Sequence, residues 1–402
     1  MLFFLPLTLI PQTTPQPAPA HPVEVPVRVT SAGQSVDNLA LEDFEITEDG
    51  KPQTIDALYL VKGINLARTL GGTSFPVNLS RHYYLLFQTN EYDPKLAEAV
   101  DYLFQNCLLP EDSMTLMTPM KPYNLAPDAL KSKPKEKLSK EMQSLLKKDI
   151  QQGGGEYRDI IKDLKKLVKV ISAGGRTAGE SEMETDSTTS QLGLEMTLDS
   201  YKTTLVKLEN LRLVDGQKFL NFSRALKKLP GQKVVFLFYQ REFRPEISSA
   251  VLNTMMSMYQ DDPNVEGDLM ELFQFYSRKP NFDVSRIRQA LADASICFNL
   301  IFMNKESQYY FGMTMREQSE DLFRAFSDMA QATGGMVDNS PNPAAAFKKS
   351  ADTLQTYYLL YYTPQESGRD GGFRNIKVTV KNKDYAVAHR LGYFMPDSLP
   401  KS

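Results

Sequence analysis

The sequence is poor in the residues on which much enzyme chemistry depends. It has three histidines, His21, His82 and His389, and two cysteines, Cys107 and Cys297, spread over 402 residues. A zinc centre assembled from His and Cys is not expected, and few groups titrate near neutral pH. Two cysteines define no disulfide framework. Cys107 falls on the inward face of a predicted helix and Cys297 inside a strand-like run, so both are expected as buried free thiols. The chain contains no G-x-S-x-G elbow, no phosphate-cradling P-loop and no H-E-x-x-H, the spacings that mark an activated serine, a nucleotide loop and a catalytic zinc. Gly153-Gly154-Gly155 lacks a preceding strand and a lysine and reads as a hinge. Carboxylates are plentiful, yet no pair stands apart from the charged surface. The expectation is a non-enzyme without a cofactor, a hydrolase-like activity being the weakest alternative. A net charge of −3 argues against nucleic acid as a partner.

Long apolar runs are also missing. The apolar block Met1–Ile10 is too short for a bilayer, which needs about 20 such residues. A Pro/Thr/Gln stretch follows, and Ala18-Pro19-Ala20 matches the small-residue pattern before a signal-peptidase cut. No Lys or Arg precedes the block. Residues 1–20 are read as a signal peptide, with the protein exported to the periplasm or the medium and no other segment crossing a membrane.

What is present is a change of period along the chain. Val23, Val25, Val27 and Val29 alternate with polar residues, as in a half-buried strand. Glu48-Asp49-Gly50-Lys51 reads as a tight hairpin turn, flanked by strands that carry Phe44, Ile46, Ile55 and Leu58. Residues 61–80 have weak periodicity and read as a linker. From Tyr83 to Phe87 an apolar strand runs into polar residues, and Asp93-Pro94 opens a helix with Leu96, Val100, Leu103, Phe104 and Cys107 on one face. Val234–Phe238 and Ile296–Met303 are further buried strands. Helices are expected over Pro245–Met258, Gly267–Arg278, Val284–Ala294, Met315–Thr333 and Pro343–Leu354. Strand and helix in alternation is the α/β signature. The chain returns to β at Tyr357–Tyr362, Ile376–Val380 and Leu391–Tyr393, natural partners for the N-terminal strands.

Residues 126–229 are longer than such a layer needs. Between Lys131 and Val170 there are eleven Lys and one Arg against six carboxylates, and the apolar residues predict two amphipathic helices. Ser172–Gln191, rich in Gly, Ser, Thr and Glu, reads as a flexible loop.

Val25-Pro26-Val27-Arg28-Val29-Thr30, Leu41–Gln53, the Ala330-Gln331-Ala332-Thr333-Gly334-Gly335 turn, Tyr357–Tyr362, Phe373–Val378 and Arg390–Phe394 together resemble the von Willebrand factor type A-related proteins that bacteria export. The resemblance implies a doubly wound, Rossmann-like A-type α/β domain over 81–355; residues 126–229 match nothing in that family and are read as a helical insertion in it. That domain would sit inside a discontinuous β-sandwich made from 21–60 and 356–396, with 397–402 as a tail. It also implies an adhesion site for a metal ion, in which an aspartate and two serines spaced D-x-S-x-S follow the first strand. Those positions fall on Gln88, Asn90 and Tyr92 here. The family's second aspartate, after the Val234–Phe238 strand, falls where Tyr239, Gln240 and Arg241 stand. Gln88 and Asn90 offer only neutral carbonyls, none of these residues supplies the anionic oxygen that anchors a hard cation, and Arg241 would repel one, so no metal is expected. The rim of Gln88, Asn90, Tyr92, Asp93, Tyr239, Gln240 and Arg241 is the candidate surface for a protein partner, since Tyr and Arg are favoured at hot spots. Asp93 has the alternative role of capping the helix at Pro94. A second functional reading gives the basic helices of 131–170 an anionic polymer or envelope component to hold.

Overall fold

The computed structural model describes residues 22–173, 187–276, 283–364 and 371–395, the side chains of 187–192 excepted. The expected signal peptide (1–20), the tail (397–402) and most of the expected Ser172–Gln191 loop lie outside the described residues.

The valine alternation builds β1 (Val23–Ser31), with all four valines buried on one face. β2 (Gln34–Ser35) folds back on it. β3 (Phe44–Glu48) and β4 (Lys51–Gln53) are joined by a turn in which Asp49 and Gly50 have φ of 47° and 80°, the left-handed pair an Asp-Gly hairpin uses. β5 (Ile55–Lys62) and β6 (Asn65–Gly71) close this unit. Residues 61–80, expected as a linker, are thus strand for much of their length. β6 pairs with β5 at the sheet edge, and its side chains are mostly exposed. An edge strand with little buried on either face lacks the alternation that marks a strand in sequence.

The α/β part begins with β7 (Arg81–Gln88), α1 (Lys95–Tyr102), β8 (Ser113–Met117) and β9 (Pro122–Leu125). Then come α2 (Pro127–Ser132), α3 (Lys135–Gly153), α4 (Gly155–Ser172), α5 (Ser187–Leu211) and α6 (Gly216–Lys227). β10 (Gln232–Gln240), β11 (Phe243–Ile247), α7 (Ser249–Met258), α8 (Pro263–Tyr276), α9 (Val284–Asp293) and β12 (Ile296–Met303) follow. β13 (Met313–Glu317), α10 (Glu320–Ala332), β14 (Val337–Ser340) and α11 (Pro343–Thr353) complete it. The chain ends in β15 (Thr356–Tyr362), β16 (Phe373–Val380), β17 (Ala386–His389) and β18 (Gly392–Phe394).

β14, β12, β10, β7 and β8 lie side by side in parallel, and β9 runs antiparallel at the edge. Tyr83, Leu85 and Phe87 of β7 pack against α1, α3 and α11, while Tyr84 and Leu86 face α6, α9 and α10. Successive side chains of a strand point to opposite faces, so a strand covered on both sides reads as continuously apolar. The protein is a mixed α/β chain with several sheets.

β17, β1, β15, β5 and β6 form an antiparallel sheet, and β18, β16, β3 and β4 form another. Phe44, Ile46, Ile376 and Val378 from the second pack on the β1 valines, Leu58, Tyr358 and Leu360 from the first. Strands from the two ends of the chain therefore share one core. The Gly334-Gly335 turn after α10 fits against this β layer. Gly334 has φ +67°, and a Cβ at Gly335 would stand 1.8 Å from the Phe298 carbonyl oxygen. Only glycine admits so close a backbone approach.

The segment 126–229 is not one insertion. Leu130, Leu138, Leu146 and Ile150 of α2 and α3, and Leu220 and Leu226 of α6, belong to the two faces of the parallel sheet. α4 and α5 instead join α7 and α8 in a separate core, where Ile160, Leu164 and Val168 meet Tyr201, Leu205, Leu252 and Leu269. β11 and β13 pair antiparallel beneath this lobe, at positions where the sequence predicted the starts of helices. Their partners lie far apart in sequence, and long-range pairing overrides local preference there. Among the described residues no helix is long and apolar enough to cross a membrane.

Candidate functional site

β7, β10 and β12 finish side by side at Gln88, Gln240 and Met303. β7 and β10 are adjacent although β8 and β9 lie between them in the chain, so strand order reverses between them. Open α/β sheets bind ligands at the carboxyl ends of the strands beside such a reversal.

The loops at this edge are fixed by polar contacts. The Gln240 Oε1 atom accepts from the backbone N–H groups of Asn90 and Glu91, at 3.2 and 3.1 Å. Asn90 Nδ2 donates to Glu242 Oε1 at 3.0 Å, and Arg158 Nη1 donates to the Asn90 carbonyl at 2.7 Å. Glu242 Oε2 accepts from Arg212 Nε at 2.9 Å. Arg212, just past the end of α5, also reaches Asp321 at 3.2 Å and the Gln318 carbonyl. Burial pushes the Glu242 carboxyl above the usual carboxylate range, and the Arg212 guanidinium and the Asn90 amide oppose that rise. Burial likewise works against the Arg212 charge, yet Glu242 holds its pKa above the ordinary value. Charge-assisted hydrogen bonds of this kind are among the stronger ones in proteins. Arg241 Nε lies 3.1 Å from Glu317 Oε1, with its guanidinium 5.7 Å from the Phe302 ring centre. Lys305 Nζ lies 2.6 Å from Glu91 Oε2.

Of the residues singled out from sequence, Gln88, Asn90, Gln240 and Arg241 stand at this edge. Three do not serve as rim residues. Tyr239 is fully buried, 5.7 and 5.4 Å from the ring centres of Phe302 and Phe326. Strand parity explains it: with Val235 and Leu237 it points to the face that α10 covers to the end of the strand. Tyr92 leans on the α1–α3 core, with Lys147 5.8 Å from its ring centre. Asp93 Oδ1 accepts from Lys95 N at 2.8 Å and so caps the first turn of α1. The sequence reading missed Glu242 and Arg212. The charged pair Arg241-Glu242, just after the apolar run of residues 234–239, was a signal for the first. Arg212 had none, because its partner lies on a different element.

Between the edge and α4 lies a cleft of about 180 Å³ whose walls include Asn90, Tyr157, Gln240, Arg241, Glu242 and Lys305. A wider groove of about 450 Å³ adjoins it along α4, past Arg158, Lys162, Lys165, Lys166 and Lys169. Lys165 Nζ donates to the Tyr310 hydroxyl at 2.9 Å. On the same loop Tyr309 and Phe311 are 88% and 90% exposed, an unusual outlay of aromatic surface beside a basic strip. Among the described residues no three His, Cys, Asp or Glu side chains converge as a metal-binding group. Cys107 and Cys297 are both free and buried, and burial pushes the Cys107 thiol up to about 12.

Compared with known proteins, the chain matches no family model, no curated protein and no solved structure.

Proposed function

We propose that this chain is an exported, non-catalytic binding or scaffold protein of the von Willebrand A-related kind. It takes a protein partner at the carboxyl edge of its parallel sheet without a divalent cation. The observation that carries this reading is the Glu242–Arg212 contact. The buried carboxylate nearest the strand-order reversal already has a guanidinium on one oxygen and the Asn90 amide on the other. A hard cation wants anionic oxygens that are free to turn towards it. With Arg241 and Lys305 also bordering the cleft, the donor set does not fit Mg²⁺ or Ca²⁺. Direct contact with a partner is what remains for this edge.

The test is affinity capture from envelope extracts in Mg²⁺ and in EDTA, with wild-type protein and with an Arg241→Glu, Lys305→Glu variant. The same partner held in both buffers and lost in the variant is the expected result. A partner released by EDTA, or retained by the variant, contradicts the reading.

A second reading rests on the groove along α4, where Lys162 and Lys169 face no carboxylate within ion-pair distance among the described residues. An anionic polymer lying there would bind in a strongly salt-dependent way, because exposed charges are screened over about 10 Å at 0.1 M salt. Binding that is indifferent to salt rules this version out.

A further inference from the structure

The face of β1 opposite the valines carries Glu24, Pro26 and Arg28, and it packs against the amino edge of the parallel sheet. Arg28 sits across from Ala388. Arg390, just beyond β17, falls diagonally beside it on the same face. Both guanidiniums are buried, at 5% and 8% exposure. Arg28 Nη1 donates to the Gly334 carbonyl at 3.2 Å. Arg390 donates to Ser295 Oγ at 2.9 Å and to the Glu24 carbonyl at 2.6 Å. The Nε–H of each arginine has no acceptor, and both residues line one cavity of about 30 Å³ together with Gln232, Ser295, Cys297 and Thr333.

Cations outnumber carboxylates here. Lys233, also 5% exposed, donates to the Leu229 carbonyl at 3.1 Å, and burial lowers its pKa and that of Arg390. The carboxylate on the cavity wall is Glu24, one of whose oxygens takes the Tyr361 hydroxyl. Glu24 offsets only part of this charge; desolvated cations are costly, and two unsatisfied buried donors add to that cost. A space of this size suits a monatomic ion or a pair of waters and is too small for sulfate.

We infer that this cavity is a binding site for a small inorganic anion, a halide such as chloride, held by the Nε–H groups of Arg28 and Arg390. The ion ties the β-sandwich to the amino edge of the parallel sheet. This site is independent of the carboxyl edge and of what binds there.

Two measurements test it. Thermal unfolding of the protein is followed in sodium chloride, sodium bromide and sodium isethionate at equal ionic strength. The midpoint is expected to rise by a few degrees, saturably, with either halide but not with isethionate, and Arg28→Met is expected to abolish the difference. Crystals grown in bromide are expected to give an anomalous peak between the two guanidiniums. Equal midpoints in all three salts, the same halide response in Arg28→Met, or water alone at the bromide position would each overturn the site. Should Arg28→Met not fold, the bromide peak in the wild-type protein decides.

Discussion

At the carboxyl edge of the parallel sheet Glu242 meets Arg212 and Asn90, Arg241 meets Glu317, and Glu91 meets Lys305. At the amino edge Arg28, Arg390 and Lys233 are buried, and Glu24 is the carboxylate lining the cavity beside Arg28 and Arg390. The first edge pairs its charges beside a cleft of about 180 Å³; the second gathers a surplus of buried cations around a cavity of about 30 Å³. A surface that has settled its own charges recognises a partner through shape and hydrogen bonds. A buried site with surplus positive charge is completed by an anion.

The comparison is broken most forcefully at the amino edge, where a fully paired contact sits beside the surplus. Arg81 lies against Asp112, Nη2 to Oδ2 2.5 Å, at 2% and 1% side-chain exposure, and it also serves the Cys107 carbonyl and Gln355. Arg81→Met leaves the Asp112 charge buried without a cation, with the Leu109 N–H still on it, a loss of about 3–5 kcal/mol that urea unfolding reads directly. At the carboxyl edge Arg212→Met costs less, about 2 kcal/mol, because Asn90 still donates to Glu242. Adding Glu242→Gln to Arg212→Met recovers part of that loss, and a double-mutant cycle measures how much.

The smallest effect is a pH dependence. His389 accepts from Val378 N–H at Nε2, 3.1 Å, and its Nδ1 faces the Arg390 carbonyl at 2.9 Å, so the fold uses the neutral ring. Burial lowers its pKa below 6.5. A depressed base contributes stability that is present above the unfolded value and lost as pH falls through the folded one. Unfolding at pH 7.5 and 5.0 is expected to show a loss of stability at the lower pH that His389→Gln reduces. An equal loss in the variant removes the assignment.

Much of the fold was legible because period and coverage agree. The β1 valines, the seven buried residues of β10 and the eight of β12 announce themselves. β6, β11 and β13 do not: each is paired on one side with a distant or neighbouring strand and buries no regular face. Asn90, Gln240 and Arg241 were legible as edge residues since each follows or ends an apolar run. Tyr239 was not, because only the packing of α10 decides that the last tyrosine of the strand stays covered. Arg212 and Glu242 lie thirty positions apart, and although the charges after the β10 run mark Glu242, nothing local in the sequence marks Arg212 as its partner.

The central claim is recognition without a divalent cation, and isothermal calorimetry of the purified protein with Mg²⁺, Mn²⁺ and Ca²⁺ tests it most directly. With Arg212 already on Glu242, none of the three is expected to give a saturable heat. Stoichiometric binding of any one of them, lost on Glu242→Gln, would contradict the account.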